Sequence, residues 1–392
     1  MMILKKTTTI FILLISLLSS AQLKLSNASE ISVLTIGSGH LLNDSFGHSA
    51  IRVKDSLHNF DLVFDYGRYD FESKGFYLNF TRGKLNYMVG RSAFDDFLSF
   101  YKYQNRQVKE QQLNLSTKQK TAFYNFLTEN MKPENKYYPY DFFYNNCATK
   151  ITDAIESILG DQIKYFPTSS FKKDTFRNLI RSNLIVNSWG SLGIDIALGS
   201  KIDQKATVKE HIFLPKNLYI LLEDARIKST DLKIVKKSKL LNSSITINKA
   251  SDKIVSPLAI LSLIALVILL ITYKDFKKNK RSIWLDVSLF ASTGFIGLVL
   301  LLLWFATNHT ATAYNYNLLW AFATNLLFIP SISKTHLTNR GVKYIVFLVI
   351  LLTLMLLHWV TGVQSFSIGL IPFLFAISVR YLFLIRHFNK ET

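Results

Sequence analysis

The stretch Tyr140-Asp-Phe-Phe-Tyr-Asn-Asn-Cys147-Ala-Thr-Lys-Ile151 contains the single cysteine of this 392-residue chain. An aromatic, turn-prone segment gives way here to the start of a predicted helix, which puts Cys147 at a helix N-terminus. The dipole and the free N–H groups of a helix start stabilise a thiolate. The pattern therefore predicts that Cys147 is a nucleophile near neutral pH. A buried, unreactive core cysteine is the alternative.

A histidine about a hundred residues upstream is the candidate general base for this thiol. The segment Phe46-Gly-His48-Ser-Ala-Ile-Arg-Val53 places His48 at the beginning of a short alternating strand. Strands are predicted over residues 31–36, 48–53 and 62–66, and the turn-prone residues 54–59 join the last two in a hairpin.

Asp65 falls near the level of His48 across this hairpin, where a carboxylate can orient the imidazole as the third member of a triad does. Because the pattern does not fix the register of the strands, Asp61 or a backbone carbonyl stays open as the orienting group. For the oxyanion, the candidates are the Asn146 side chain and the first N–H groups of the helix. An asparagine before a helix is also an ordinary N-cap.

Helical periodicity predicts helices over residues 117–129 and 148–159, the second directly after Cys147. Lys5 and Lys6, an apolar stretch over 10–18 and small residues up to Ala21 predict a secretory signal peptide over residues 1–21. An exported globular domain is expected over 22–225, and a basic linker over 226–255.

The remainder, residues 256–392, contains five apolar segments long enough to cross a bilayer, at about 256–273, 285–306, 315–332, 343–361 and 365–385. Lysines and arginines cluster in the loops after the first and third segments and in the C-terminal tail, whereas the other two loops have none. The positive-inside rule then makes the C-terminus cytosolic and the exported domain periplasmic, in a multi-pass protein of the bacterial inner membrane.

The formal net charge of +19 comes largely from the cytosolic loops and the exported domain. A membrane protein of this organisation is not expected to bind nucleic acid, and the basic surface suits anionic lipid headgroups or simple solvation. His40 and His48 match no usual spacing of metal ligands, so that no metal site is predicted. There is no glycine-rich phosphate loop, and no cofactor is expected.

Four sequence blocks, at residues 47–53, 63–67, 76–85 and 140–149, resemble the signature blocks of the DUF4105 family. This family is similar to the permuted, histidine-first branch of the papain-like NlpC/P60 fold. Members with a block of membrane helices look like the thiol-dependent lipoprotein N-acyltransferase of Bacteroides-type bacteria. The resemblance implies an α+β, permuted papain-like exported domain followed by an all-α domain of five transmembrane helices.

The resemblance also implies an activity. Cys147 would take an acyl chain from a membrane phospholipid as a thioester and pass it to the N-terminal amine of diacylglyceryl-cysteine lipoproteins. His48 would act as the base, and Arg82 in the third block would contact the substrate.

The outward loop between the second and third apolar segments is rich in polar residues and carries no lysine or arginine. We expect this loop to complete the binding site for the lipid headgroup or the acceptor. The residues proposed for this role are His309, Thr310, Asn315 and Asn317. The alternative is that a short loop between spans is polar only because its backbone and side chains hydrogen-bond at the interface.

Two other functions fit the same residues. A membrane-tethered papain-like cysteine hydrolase would cleave peptide or amide bonds in peptidoglycan. A lipid-binding or assembly module would use Cys147 only as a structural residue. The block of membrane segments favours a lipid substrate over the hydrolase, because a soluble peptidase needs at most one anchor.

Overall fold

The computed structural model describes residues 23–69, 75–84, 86–166, 173–244 and 255–389, and the predicted signal peptide of residues 1–21 lies outside this part of the chain. The described chain forms a mixed α/β domain up to Asn242 and then a helical domain that begins at Pro257. This order confirms the prediction of a mixed domain followed by an all-helical one.

The mixed domain is built on an antiparallel sheet of seven strands. In chain order these are β1 (Glu30–Ile36), β2 (His48–Asp55), β3 (Phe60–Arg68), β4 (Asn86–Ala93), β5 (Val108–Leu113), β6 (Tyr137–Pro139) and β9 (Val235–Asn242). Two short strands between β6 and β9, β7 (Ile163–Lys164) and β8 (Arg226–Ile227), pair with each other and not with this sheet. The spatial order is β6-β4-β3-β2-β1-β5-β9. Strands β1, β2 and β3 are therefore central, and both faces of the sheet need covering.

Helices cover both faces of this sheet. They are α1 (Phe76–Thr81), α2 (Phe94–Tyr103), α3 (Thr117–Asn130), α4 (Cys147–Leu159), α5 (Phe176–Arg181), α6 (Trp189–Ala197) and α7 (Pro215–Asp224). On one face, α3, α4 and α7 bury Phe123, Ile151 and Leu218 against the strands. On the other face, α2 buries Phe97 and Tyr101.

The predicted hairpin and helices are confirmed. β2 and β3 pair antiparallel, with Ala50 opposite Asp65. The helix predicted over 117–129 is α3, and the helix predicted over 148–159 is α4, which begins one residue earlier at Cys147. The strong hydrophobic periodicity of α4 explains why the sequence predicts this helix well.

The predicted boundary at residue 225 is wrong. Residues 235–242, which were assigned to a basic linker, form β9 at the edge of the sheet and pair with β5. Val235 is buried, whereas the lysines of the strand are exposed. Lysine-rich edge strands of this kind protect a sheet against pairing with other chains, and their composition resembles that of a linker.

The helical domain contains α8 (Pro257–Lys278), α9 (Ile283–Phe305), α10 (Asn325–Ile332), α11 (Asn339–Val360) and α12 (Ile371–Asn389). Among the described residues, four helices are long and apolar enough to cross a membrane: α8, α9, α11 and α12 with its leading turn. The sequence predicts five spanning helices, and the third predicted segment, at residues 315–332, is the one without a long helix. Only the eight residues of α10 are α-helical there.

The third segment nevertheless runs along α9. A Cβ atom on Gly297 would lie 2.1 Å from the carbonyl oxygen of Ala321, and one on Gly294 would lie 2.8 Å from the nitrogen of Leu326. At the end of the segment, Arg281 donates a hydrogen bond of 2.9 Å to the carbonyl oxygen of Ile332. The buried Asn325 side chain donates a hydrogen bond of 2.9 Å to the Thr293 hydroxyl of α9.

Polar contacts join the two domains. The Asn317 amide donates to the carbonyl oxygen of Asp195 in α6 at 3.1 Å, and the Asn315 amide donates to that of Ile196 at 2.7 Å. On the second outward loop, the backbone N–H of Ser365 donates to the Asp203 carboxylate at 3.0 Å. These bonds are partly or fully buried, so that water does not compete with them and they hold the domains firmly.

We predict that the close approach at Gly297 is needed for stability. Gly297→Ala places a methyl group against backbone atoms of the third segment, and we expect a loss of about 1–3 kcal/mol in the free energy of unfolding. Gly193→Ala in α6 is the matched control, because nothing lies within 4 Å of its Cβ position. Thermal unfolding of both variants in the same detergent measures the difference. Equal stability of the two variants would contradict the packing described for the third segment.

Candidate active site

Cys147 is the first residue of α4, and Asn146 caps this helix. The Asn146 side-chain oxygen accepts hydrogen bonds from the backbone N–H groups of Ala148 at 2.9 Å and Thr149 at 3.0 Å. In return, the Thr149 hydroxyl accepts from the backbone N–H of Asn146 at 2.8 Å, which completes a capping box. The backbone N–H of Cys147 donates to no acceptor among the described residues. It is the free donor at the helix start.

The structure corrects the oxyanion role predicted for the Asn146 side chain. Its NH₂ group donates both hydrogens, to the carbonyl oxygens of Phe142 and Phe213, each at 2.8 Å. No hydrogen is left for a substrate. The side chain instead fixes the loop before the nucleophile to a distant part of the chain. The predicted oxyanion donors are the Asn146 side chain and the first N–H groups of the helix. Of these, the backbone N–H of Cys147 stays available.

His48 begins β2, directly after Gly47. Gly47 has φ +80°, and a Cβ there would lie 2.6 Å from the carbonyl oxygen of Ile36. Only glycine fits this tight entrance to the strand.

Asp65 is paired with Ala50, which lies two residues after His48, so that the side chains of Asp65 and His48 project from the same face of the sheet. His48 Nε2 lies 3.6 Å from Asp65 Oδ2, an ion-pair distance slightly longer than a hydrogen bond.

Asp61, the alternative orienting residue, is engaged elsewhere. Both of its carboxylate oxygens accept hydrogen bonds from Arg52, at 2.8 and 2.6 Å. A bidentate arginine pair of this kind is strong and directional. Asp65 is therefore the carboxylate that faces His48.

The pKa values of the thiol and the imidazole shift towards the ion pair. Burial alone would raise the pKa of Cys147, but the charge and hydrogen bond of His48 and the N–H groups of Ser49 and Ala148 outweigh burial and lower it. Burial alone would lower the pKa of His48, but Tyr101, the Cys147 thiolate and the Asp65 carboxylate favour the imidazolium and raise the pKa well above its usual range. A thiolate beside an imidazolium is the reactive form of a cysteine nucleophile.

Arg68 is a site residue that the sequence reasoning missed. Its Nε atom donates to both oxygens of Asp65, at 2.9 and 3.0 Å, and its guanidinium also reaches the Ser92 hydroxyl at 3.3 Å. Burial would raise the pKa of Asp65, but the bonds with His48 and Arg68 lower it. Arg68 thus keeps Asp65 ionised and correctly oriented. It acts on His48 only through Asp65.

Two glycines make room for this arrangement. Gly67 has φ +96° at the bulge between Tyr66 and Arg68, and its Cβ position lies 3.9 Å from the Cys147 Cβ. A Cβ on Gly90 would lie 2.2 Å from Arg68 Nε, which means that the arginine side chain occupies the space over this glycine. Paired glycines around a charged residue in strands are the sequence signal that could have indicated Arg68.

Three tyrosine rings pack together near the Cys147 thiol. The rings of Tyr87 and Tyr140 stack with centroids 4.2 Å apart, and Tyr69 contacts Tyr87 at 5.2 Å. Burial, and then the nearby Cys147 thiolate, raises the pKa of Tyr140 well above its usual range. Tyr140 is therefore a close neighbour of the Cys147 thiol in an apolar environment.

The outward loop contacts the exported domain directly. The Thr310 hydroxyl donates a hydrogen bond of 3.0 Å to the carboxylate of Asp141, in the loop that leads to Cys147. His309 Nε2 donates to the carbonyl oxygen of Phe80 at 3.1 Å. Both residues retain exposed surface, which is consistent with a place at the mouth of a site.

Asn315 and Asn317 do not have the predicted substrate-binding role. They are 1 % and 0 % exposed. Their amides bond to the backbone of α6, and the Asn317 side-chain oxygen accepts from the Trp320 indole at 2.9 Å. Buried amides with this many partners are structural. The alternative explanation, that loop polarity serves hydrogen bonding, applies to these two residues.

Arg82 lies at the end of α1, and its side chain is exposed. Its carbonyl oxygen accepts a hydrogen bond of 2.9 Å from the backbone N–H of Asn308, which begins the outward loop. The backbone of Arg82 is thus held near the outer end of α9. Among the described residues, no three His, Cys, Asp or Glu side chains are grouped as metal ligands would be.

The geometry unites a thiol, an imidazole, a carboxylate and a free backbone N–H donor. Such a set can form and resolve a covalent thioester, either by transfer to an amine or by hydrolysis.

We predict that His48 controls the reactivity of Cys147. His48→Ala removes the imidazolium, so the pKa of the thiol rises and the thiolate fraction at pH 7 falls, by roughly tenfold for each unit by which this pKa exceeds 7; alkylation by iodoacetamide slows accordingly. His58→Ala is the control, since His58 lies in the turn at the other end of β2. With a single cysteine in the chain, the label reports only this thiol. An unchanged pH profile in His48→Ala would contradict the ion pair.

We predict that Arg68 positions Asp65. Arg68→Gln weakens the stabilisation of the carboxylate, and Gly90→Ala displaces the Arg68 side chain with little change elsewhere. In both variants the pKa of Asp65 rises, so the acid limb of the alkylation profile should move to higher pH. Gly193→Ala should leave the limb in place. A fall in melting temperature without any movement of this limb would mean that Arg68 is only structural.

The comparisons with known proteins agree with this two-part organisation. Residues 19–182 match the family model described as the Lnb N-terminal periplasmic domain, and residues 249–392 match the one described as the Lnb transmembrane domain. No curated protein and no solved structure matches the chain. The chain is therefore a multi-pass membrane protein in which an Lnb periplasmic domain is followed by an Lnb transmembrane domain.

Proposed function

We propose that this protein is a thiol-dependent acyltransferase that moves an acyl chain from a membrane phospholipid, through a thioester on Cys147, to the N-terminal amine of diacylated lipoproteins. The exported domain is then a permuted papain-like enzyme, because the strand with the histidine precedes the helix with the cysteine. The Lnb matches are consistent with an enzyme of the lipoprotein N-acyltransferase kind.

One observation carries the proposal: the loop that bears the nucleophile is bonded to the membrane domain. Thr310, in the loop after α9, donates to Asp141, six residues before Cys147. The two Asp141 oxygens have different partners, since Oδ1 accepts from the backbone N–H groups of Phe143 and Tyr144 at 2.8 and 2.9 Å. Asp141 thus links the shape of the nucleophile loop to the outer end of the spans. A soluble substrate gives no reason for this link.

In the first half-reaction, the Cys147 thiolate attacks the ester carbonyl carbon of a phospholipid. The backbone N–H of Cys147 lies at the helix start, where it can donate to the developing oxyanion. The ester C–O bond then breaks, and the His48 imidazolium gives its proton to the leaving alkoxide. The products are a lysophospholipid and an acyl thioester on Cys147.

In the second half-reaction, the amine of the diacylglyceryl-cysteine attacks the thioester carbonyl. His48, now neutral, takes a proton from the amine, and Asp65 stabilises the imidazolium that forms. The C–S bond breaks to regenerate the ion pair, and the acceptor carries a third chain in amide linkage. The tyrosines beside the thiol offer apolar surface to the acyl chain while it is attached.

The structure supports the orientation that the positive-inside rule predicts. Arg281, in the loop after α8, donates to the carbonyl oxygen of Ile332 and contacts that of Lys334, so these two basic loops meet at one end of the domain. The exported domain is bonded to the opposite end. We accordingly place the catalytic domain in the periplasm, the C-terminus in the cytosol and the protein in the bacterial inner membrane.

We predict that cells with wild-type protein contain lipoproteins with three acyl chains, whereas cells with Cys147→Ala or without the gene contain lipoproteins with two. Intact mass of an N-terminal lipopeptide measures the difference, and His58→Ala serves as the active control. Identical masses in all samples would exclude lipoprotein N-acylation. Peptidoglycan peptides from the same cells would then be tested for cleavage that depends on Cys147, which is the outcome for a hydrolase.

A further inference from the structure

α1 presents apolar side chains to solvent at the membrane end of the exported domain. Leu78 is 54 % exposed and Phe80 is 53 % exposed. The helix is held against the outer end of α9, because His309 bonds to the Phe80 carbonyl and a Cβ on Gly83 would lie only 3.1 Å from the His309 nitrogen. The exposed leucine and phenylalanine add apolar surface to this end of the exported domain.

The length of α9 and the aromatic residues at its outer end indicate how far α1 lies from the centre of a bilayer. This helix has 23 residues and is about 35 Å long, compared with about 30 Å for a hydrocarbon core. At its outer end, the rings of Trp304 and Phe305 stack at 4.8 Å, and Tyr314 contacts Trp304 at 5.4 Å. Tryptophan and tyrosine concentrate at the headgroup level of membranes. α1 therefore lies at or just above this level.

A second apolar pair is fixed at the outer end of another span. Val186 is 72 % exposed and Trp189 is 50 % exposed. The Trp189 indole donates to the carbonyl oxygen of Val255 at 2.8 Å, and Asn187 accepts from the backbone N–H of Leu258 at 3.0 Å in the first turn of α8. A bilayer that covers α8 to its end reaches this pair as well.

Basic side chains accompany the first pair. Arg82 and Lys84 follow α1 directly, and both are exposed. Near an anionic lipid surface, each such side chain strengthens binding by about fivefold. An apolar pair followed by two cations matches the layering of a phospholipid leaflet, in which the phosphates lie outside the acyl chains.

We propose that these two pairs, Leu78 with Phe80 and Val186 with Trp189, are a membrane-contacting surface of the exported domain, seated in the outer leaflet of the bilayer that holds the spans. Arg82 and Lys84 contact lipid phosphates beside α1. The phospholipid that donates the acyl chain reaches Cys147 past α1, and this last step rests on the proposed function. The partner of the surface is the lipid leaflet itself.

The single cysteine makes this surface testable in the full-length chain. In a Cys147→Ser background, Leu78→Cys and Trp189→Cys variants carry one fluorescent label each, and Phe80→Cys and Val186→Cys replace any variant that fails to fold. Leu57→Cys is the matched control: Leu57 is 74 % exposed, but it lies in the turn after β2, at the opposite end of this strand from His48. The proteins are reconstituted in nanodiscs of phosphatidylethanolamine and phosphatidylglycerol with a doxyl-labelled phospholipid.

We expect the doxyl lipid to quench labels at positions 78 and 189 several-fold more strongly than the label at position 57, and iodide in solution to show the reverse order. Equal quenching at all three positions by the lipid would overturn the proposal. Protection from both quenchers would also overturn it, because a protein partner or a second copy would then cover the surface. Neither readout requires acyl transfer, so a failure here is distinguishable from a failure of the proposed activity.

Discussion

The side chain of Asn146 is the constraint on which the candidate site depends. It makes four hydrogen bonds, two as acceptor to the first turn of α4 and two as donor to Phe142 and Phe213. One amide therefore starts the helix, closes the aromatic loop and ties both to the segment before α7. Because this cap serves Ala148 and Thr149, the N–H of Cys147 has no acceptor within the part of the chain that the structure describes. The four hydrogen bonds of the Asn146 side chain therefore stabilise the fold and also leave the Cys147 N–H as the donor beside the thiol.

A second network determines where this site lies relative to the membrane. Arg177 is almost fully buried and bonds to Asp195 and Asp203. Asp203 in turn accepts from Ser365, and the backbone of Asp195 accepts from Asn317. Buried charges with complete partners allow little rearrangement, since breaking one bond leaves another group unpaired. The network joins the exported and membrane domains, and the loop before Cys147 lies against the outward loop that follows α9.

The sequence predicts those parts of this architecture that depend on local pattern. Cys147 at a helix start, the hairpin with His48 and four of the five apolar segments follow from capping, alternation and hydropathy, which are local properties. Asp65 needed the register as well, and the structure supplies it through the pairing with Ala50.

The failures concern residues whose partners are distant in sequence. The sequence suggests Asn146 as an oxyanion donor and Asn315 and Asn317 as substrate-binding residues, yet each of these amides bonds to backbone far along the chain. Composition also misled where β9 resembles a linker, and it gave no sign that only eight residues of the third segment are α-helical. An edge strand is defined by its neighbour, and the third segment is shaped by two glycines of α9. No local pattern contains this information.

A transferase must protect its thioester from water until the amine arrives, and the surroundings of the thiol are suited to this requirement. The side chains of His48 and Asp65 are 18 % and 9 % exposed, and aromatic rings adjoin Cys147. Water exclusion also strengthens the ion pair, because charges interact more strongly at low dielectric. A lipid leaflet against the exported domain would extend this exclusion and supply the donor at high local concentration. In such an enzyme, the exclusion of water from the thiol would link the contact with the membrane to the preference for transfer over hydrolysis.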